Sequence, residues 1–320
     1  HGRIRRQRQM CIRDSACADV QGNLALMRVS DQLSWLAEVM VNGCISYLQH
    51  DFGDEIVQNI GVVAFGKLGG LEMSYGSDLD LVYVCKNPST EKSDQASLQA
   101  LTTKNTLLVQ RLTQMLTLQT VSGRLYEVDT RLRPDGAAGA MVPSFDFMRD
   151  YYQQRAWIWE IQALVRARCI VGDEILVTQF NDMRQSVLTH NRDPQQLAQE
   201  VSHMRQKMLT EKSTLGQHMF HLKNDVGGIT DIEFMVQYMV IAHANKHPEL
   251  CMYSDNIRLL QCCADIAVLP AAMAQELSDI YREYRQVMHT KALLACKPEV
   301  SSQEYTSERE KVRQYWNQII

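Results

Sequence analysis

GKLGGLEMSYGSDLDL (residues 66–81) is the stretch on which the reading of this chain turns. It follows GVVAF (61–65), a short apolar run that reads as a buried strand, and its end opens LDLVYV (79–84), a second strand. Asp78 and Asp80 stand at i and i+2 on that second strand, so their carboxylates face one side, with Cα atoms roughly 6.5 Å apart. A charge in an apolar strand is costly to bury. Two like charges about 4 Å apart repel by roughly 4 kcal/mol at an effective dielectric near 20. Something cationic must compensate them, and a hard divalent ion such as Mg²⁺ fits where phosphates are present. By itself an Asp-x-Asp pair is most often solvated at a strand edge. The neighbouring motifs decide between the two readings.

Working outward, RLYEVDTRLRP (124–134) reads as a third strand stopped by Pro134. Period-2 alternation puts Glu127, Asp129, Arg131 and Arg133 on one face and Tyr126, Val128 and Leu132 on the other. Such a face is either a solvated edge or the lining of a polyanion site, with acids on metal and arginines on phosphate oxygens. Beside Asp78 and Asp80, the second reading is preferred, with Asp129 as third acid. Gly61 to Lys67 spells G-x-x-x-x-G-K, but Leu68 stands where a phosphate loop needs Ser or Thr, and the intervening residues are strand formers. The expectation is instead that Gly69 and Gly70 let the backbone approach a triphosphate, with amides as donors. Lys67 either adds charge there or is an ordinary solvated lysine.

Further out, Leu33, Leu36, Met40, Cys44 and Tyr47/Leu48 describe a helix capped by Ser30 or Asp31. KNPSTEKSDQAS (86–97) reads as an exposed loop, and Leu98 to Met115 as a second helix. After Ser144 helical periodicity dominates, over 145–171, 195–212, 230–245, 255–268, 271–295 and 303–318. Trp157 and Trp159 are expected in the core, and Arg166 and Arg168 about 160° apart on one helix. Thr230 and Glu233 are expected to form a capping box. Lys223 and Asp225 could lie near the catalytic part. HGRIRRQRQMCIRDS (1–15) is set aside as a basic, non-native tail. The fold class is α+β, predominantly helical: a small sheet domain with helical lead-in over 16–172, then a helical bundle over 173–320.

The 320 residues are 45% hydrophobic and 22% charged with net charge −4, which allows a real core and disfavours a basic nucleic-acid binder. No apolar run is long enough to span a membrane, and no secretion signal is seen. Nine cysteines without a C-x-x-C point to free thiols in a reducing cytoplasm.

Strand, Gly-Gly turn, Asp-x-Asp and a third Asp together resemble the nucleotidyltransferase superfamily related to DNA polymerase β. The likeness extends further. GKLGGLEMSYGSDLDL, YEVDTRLRPDGAAG (126–139), WIWEIQALVRAR (157–168), KNDVGGITDIEF (223–234) and SDNIRLL (254–260) look like successive motifs of the glutamine synthetase adenylyltransferase/adenylyl-removing family. VSDQLSWLAE (29–38) fits as lead-in. The resemblance implies a polymerase-β-like sheet domain that transfers AMP from ATP to a tyrosine of glutamine synthetase. Asp78, Asp80 and Asp129 would be catalytic and would bind Mg²⁺. Gly69, Gly70 and Ser77 would contact phosphates, with Lys67, Arg131 and Arg133 as further nucleotide contacts. The spelling resembles the adenylylating half; the removing half tends to carry Lys where Arg166 stands. The alternatives are that removing half, or a silent regulatory module binding glutamine synthetase or the PII signal protein. PII would regulate through regions outside this chain, and neither nucleic acid nor membrane is an expected partner.

Overall fold

A computed structural model describes residues 2–21, 24–87, 95–121, 123–212 and 218–320. In chain order the elements begin α1 (Gly2–Val20), α2 (Leu26–Phe52), α3 (Asp54–Gln58), β1 (Ile60–Ala64), α4 (Gly66–Gly69), β2 (Leu79–Cys85) and α5 (Gln95–Thr117). Then come β3 (Val128–Asp129), α6 (Phe145–Gln154), α7 (Ile158–Val165), β4 (Arg168–Val171) and α8 (Glu174–Leu188). The chain ends with α9 (Pro194–Lys212), β5 (Met219–His221), α10 (Ile229–His243), α11 (Asn256–Asp265), α12 (Ala271–Leu293), β6 (Glu299–Ser301) and α13 (Thr306–Ile319). The fold is thus α+β and predominantly helical, as the sequence indicated. The elements gather into two compact units, His1–Ala156 with Arg166–Arg184, and Trp157–Val165 with Gln185–Ile320. The single boundary expected near Gly172–Asp173 is therefore replaced by an interleaved division.

In the first unit the sheet order is β3-β2-β1-β4. β1 runs antiparallel to β2, pairing Val62 with Tyr83 and Ala64 with Leu81, and antiparallel to β4 across an irregularity at Val62/Val63. β3 lies parallel to β2, with Leu79 opposite Val128 and Asp80 opposite Asp129. All of β1 is buried, which explains its unbroken apolar spelling. α2 packs on α5. It buries Leu33, Ala37, Met40, Val41, Cys44 and Leu48, and α5 buries Leu108, Val109, Leu112 and Leu116. Each buried leucine, valine or methionine among them contributes about 1.5–3 kcal/mol by leaving water.

Four expectations are corrected here. Residues 2–15, set aside from the fold above, are part of α1, where Arg8 lies 4.2 Å over the Tyr126 ring and Ser15 donates to Gln32 at 3.1 Å. α2 starts at Leu26 after an Ala25 cap, so Ser30 is an interior residue, and Ser34 Oγ donates to its carbonyl at 2.8 Å. The third strand is only Val128–Asp129, because the chain turns at Arg131. The helix expected over 145–171 breaks into α6, α7 and β4, since Cys169 and Val171 find partners on β1. Of the loop expected over 86–97, residues 88–94 lie outside the described residues.

Beside β4, Lys86 Nζ meets Asp173 at 2.6 Å and holds its carboxyl below the usual range. Both side chains are about one-third exposed, 34% and 30%, so the pair is worth at most about 1 kcal/mol. A depressed carboxylate pKa gives stability above the ordinary value of about 3.9 that fades as pH falls through the folded-state value. Thermal melts of wild type and Lys86→Met should differ slightly at neutral pH and converge in acid.

In the second unit α10 is buried along most of its length. It packs on α7, α9, α11, α12 and α13. β5 and β6 form an antiparallel ribbon. The predicted capping box is absent: Gly228 caps α10 and Thr230 is inside it. Asp231 serves instead, accepting from Gly227 N at 2.6 Å and from Arg205 Nε at 2.5 Å. Asp225 caps its own turn, accepting from His221 N at 2.8 Å. Trp157 and Trp159 are not core residues; they are 69% and 37% exposed.

None of the nine cysteines is joined in a disulfide. Among the described residues no helix is long and apolar enough to cross a membrane.

Candidate active site

The site is built where β1 hands over to the 66–81 stretch. Phe65 N donates to Asp80 O at 2.9 Å, so the turn after β1 is tied to the start of β2. Gly66 follows with φ +55°, and a Cβ there would run into the Asp80 carboxylate. This glycine makes room for the acid, and positive φ is the reason a side chain is strained there. The sequence assigns Gly69 and Gly70 a different task, close approach of their amides to a triphosphate. Their amides instead donate to Phe65 O at 2.9 Å and Gly66 O at 3.0 Å, closing the single turn of α4. A Cβ on Gly69 would overlap the carbonyl oxygens of Arg166 and Ala64, so Gly69 is needed for packing. Both glycines are buried.

The turn is clamped by two arginines that the sequence had set on one helix. Arg166, past the end of α7, pairs with Glu72, and the two side chains are 6% and 1% exposed. Arg168, the first residue of β4, donates to Gly69 O at 2.8 Å and Leu68 O at 3.0 Å and pairs with Glu38 at 2.5 Å. These carbonyls end α4, where a cation also opposes the negative end of the peptide dipoles. The signal for this role was the strand period of Arg168-Cys-Ile-Val, masked by the apolar helix before it.

Lys67 Nζ donates to Ser77 Oγ at 3.4 Å, and Ser77 shares a 2.8 Å hydroxyl–hydroxyl bond with Ser74. Ser77 also accepts from Ser74 N at 3.1 Å. Next to this cluster Asp78 is exposed, just ahead of β2, and Asp80 is half-buried on it. Asp80 and Asp129 are register partners on parallel neighbours, strands spaced about 4.8 Å apart. The structure thus brings the sequence-selected acids to one end of one strand pair.

Arg131 is the cation paired with Asp129. Its backbone N donates to Asp129 Oδ1 at 2.9 Å, Nε reaches Oδ1 at 3.0 Å and Oδ2 at 2.8 Å, and Nη2 reaches Oδ2 at 2.5 Å. These bonds hold the Asp129 carboxyl below the usual range. Asp129, then Asp80 and Asp78, raise the Arg131 guanidinium pKa in turn. Arg133 does not join them. Its guanidinium donates to Gly139 O at 3.2 Å, Thr130 O at 2.8 Å and Ala137 O at 3.2 Å, stitching the 130–139 loop. The single charged face expected over 127–133 therefore ends at Asp129, and Glu127 turns to Arg124 instead.

The donor chemistry, all carboxylate and hydroxyl oxygen, suits a hard divalent cation. Among the described residues no three acidic, His or Cys side chains are gathered closely enough to hold a metal ion as they stand.

Residues 2–183 match the family model described as glutamate-ammonia ligase adenylyltransferase, and residues 184–301 match that of GlnD PII-uridylyltransferase. Curated relatives named bifunctional glutamine synthetase adenylyltransferase/adenylyl-removing enzyme are similar to nearly the whole chain. That of Thioalkalivibrio sulfidiphilus is 40% identical over 99% of this chain, and that of Mannheimia haemolytica 37% identical over 99%. That of Nitrosococcus oceani is 40% identical over 98%. The chain spans about a third, 34%, of the length of each.

Proposed function

Because the chain belongs to the glutamate-ammonia ligase adenylyltransferase family, we propose that it transfers AMP from ATP to a tyrosine hydroxyl of glutamine synthetase. The observation that carries this reading is the register of Asp80 and Asp129 on adjacent parallel strands, with Asp78 beside them and Gly66 open over Asp80. Asp78, Asp80 and Asp129 would hold Mg²⁺. When bound, the ion would neutralise phosphate charge and favour the acceptor's phenolate.

The protein's own residues have three tasks. A tyrosine hydroxyl with a pKa near 10 must lose its proton at neutral pH, and Asp129 is the carboxylate assigned to receive it. The phenolic oxygen then bonds to the α-phosphorus while the bond to pyrophosphate breaks, and pyrophosphate leaves with that electron pair. Lys67 and Ser77, paired beside Asp78, are the protein's contacts for the departing phosphates. Gly69 and Gly70 support this site through the turn they close, and Arg133 through the loop it stitches.

Incubating the chain with unmodified glutamine synthetase, ATP and Mg²⁺ and mapping the product by mass spectrometry tests the proposal: a tyrosine carrying AMP is expected. The relatives' names also include adenylyl removal. A second arm with adenylylated glutamine synthetase, phosphate and no ATP covers it. ADP release in that arm, with no transfer in the first, would reverse the assignment. We place regulation by PII in regions of the longer relatives that lie outside this chain.

A further inference from the structure

We propose that Arg131 is a place-holding cation that must leave Asp129 before a divalent ion can bind. This rests on reading the acids as the metal site. Both oxygens of Asp129 are engaged by Arg131, Oδ1 by the backbone amide and Nε, Oδ2 by Nε and Nη2. A divalent ion needs those same lone pairs. The pairing thus accounts for why acids in register on one strand pair are not gathered as a coordination set.

The pair can open from one side only. Arg131's side chain is 82% exposed, on the turn after β3, whereas that of Asp129 is 23% exposed. Arg133, Arg166 and Arg168 are held differently. Arg133 and Arg168 are fixed to backbone carbonyls, and Arg166 is buried against Glu72. When Arg131 swings out, Asp129 turns to the ion and the freed guanidinium becomes a donor for triphosphate oxygens. Metal loading and nucleotide contact are thereby coupled through one side chain. Arg131 therefore both positions Asp129 and contacts the nucleotide, and it carries no reacting atom.

The test is a titration of the full chain with Mn²⁺ alone, following free Mn²⁺ by electron paramagnetic resonance. Arg131→Ala should bind Mn²⁺ about five- to ten-fold more tightly than wild type, and Arg131→Lys should move back towards wild type. In an Asp129→Asn background the Arg131→Ala effect should vanish. Removal of a nearby positive charge alone would tighten binding in both backgrounds, and that result overturns the proposal. Equal or weaker Mn²⁺ binding by Arg131→Ala, or no binding by either protein, overturns it too. KM for ATP should rise in Arg131→Ala, opposite in sense to the metal affinity. Failure here is distinguishable from failure of the proposed reaction. Wild type that transfers AMP without the Mn²⁺ difference rejects only the role of Arg131. The Mn²⁺ difference without transfer rejects only the reaction.

Discussion

Asp80→Asn should lower AMP transfer by about three orders of magnitude and leave the melting temperature close to wild type. The substitution keeps the shape and removes the charge. Leu79 and Leu81, both fully buried, anchor the strand on either side, so the backbone at position 80 stays in place. Asp80 itself is half-buried beside Gly66, and asparagine fits the same space. What is lost is one of the charges that would bind the cation, along with one of the two carboxylate oxygens, replaced by an amide nitrogen that cannot ligate it. Asp78→Asn should behave alike, because Asp78 is exposed and its removal disturbs no packing. Transfer of labelled AMP under single-turnover conditions reads the effect. A variant retaining more than a tenth of wild-type transfer would contradict the assignment of these acids.

The largest effect on stability is expected from Arg166→Met. It strips the guanidinium from Glu72, whose side chain is 1% exposed, and leaves that carboxylate in a low-dielectric interior. Breaking one side of a buried ion pair costs about 3–5 kcal/mol. Urea unfolding should show that loss in the midpoint with an unchanged slope. Glu72→Leu combined with Arg166→Met should recover much of it, since replacing both partners removes the stranded charge. A single-variant cost below about 1 kcal/mol would mean that water reaches Glu72. Because Glu72 follows the turn that α4 closes, a partly folded Arg166→Met should also lose transfer before it loses helix.

The parts of the fold legible from sequence are those where one local rule acts alone. β1 and β2 are short apolar runs bounded by glycine or by charge, and α5 repeats its leucines at helical spacing; all three lie where periodicity put them. Asp80 lies on β2 as alternation put it, whereas Asp78 stands exposed just ahead of the strand, because pairing begins only at Leu79. The role of Arg133 was not, because alternation assumes an extended chain. The turn at 131, and the left-handed Asp135 and Gly136 after it, end that alternation and send the side chain to backbone carbonyls. The division of labour among glycines was hidden for a similar reason. Gly66 and Gly69 look alike in sequence, yet one yields space to Asp80 and the other to the carbonyls of Ala64, just before the turn, and of the distant Arg166. Trp157 and Trp159 misled because burial habit is an average, and these two stand at the exposed start of a short helix.

The interleaving of the two units restricts how the molecule can be dissected. α7 packs on α9 and α10, and Gln162 donates to Gln237 at 3.3 Å, yet residues 166–184 directly after it return to the sheet. A fragment ending at 172 would keep this helix while discarding the helices it packs against, leaving Ile161, Leu164 and Val165 without that cover. A fragment ending before 157 would instead forfeit β4 and both arginine clamps under the turn. No single scissile position yields two self-sufficient pieces, so each half inherits its integrity from the other's covalent path.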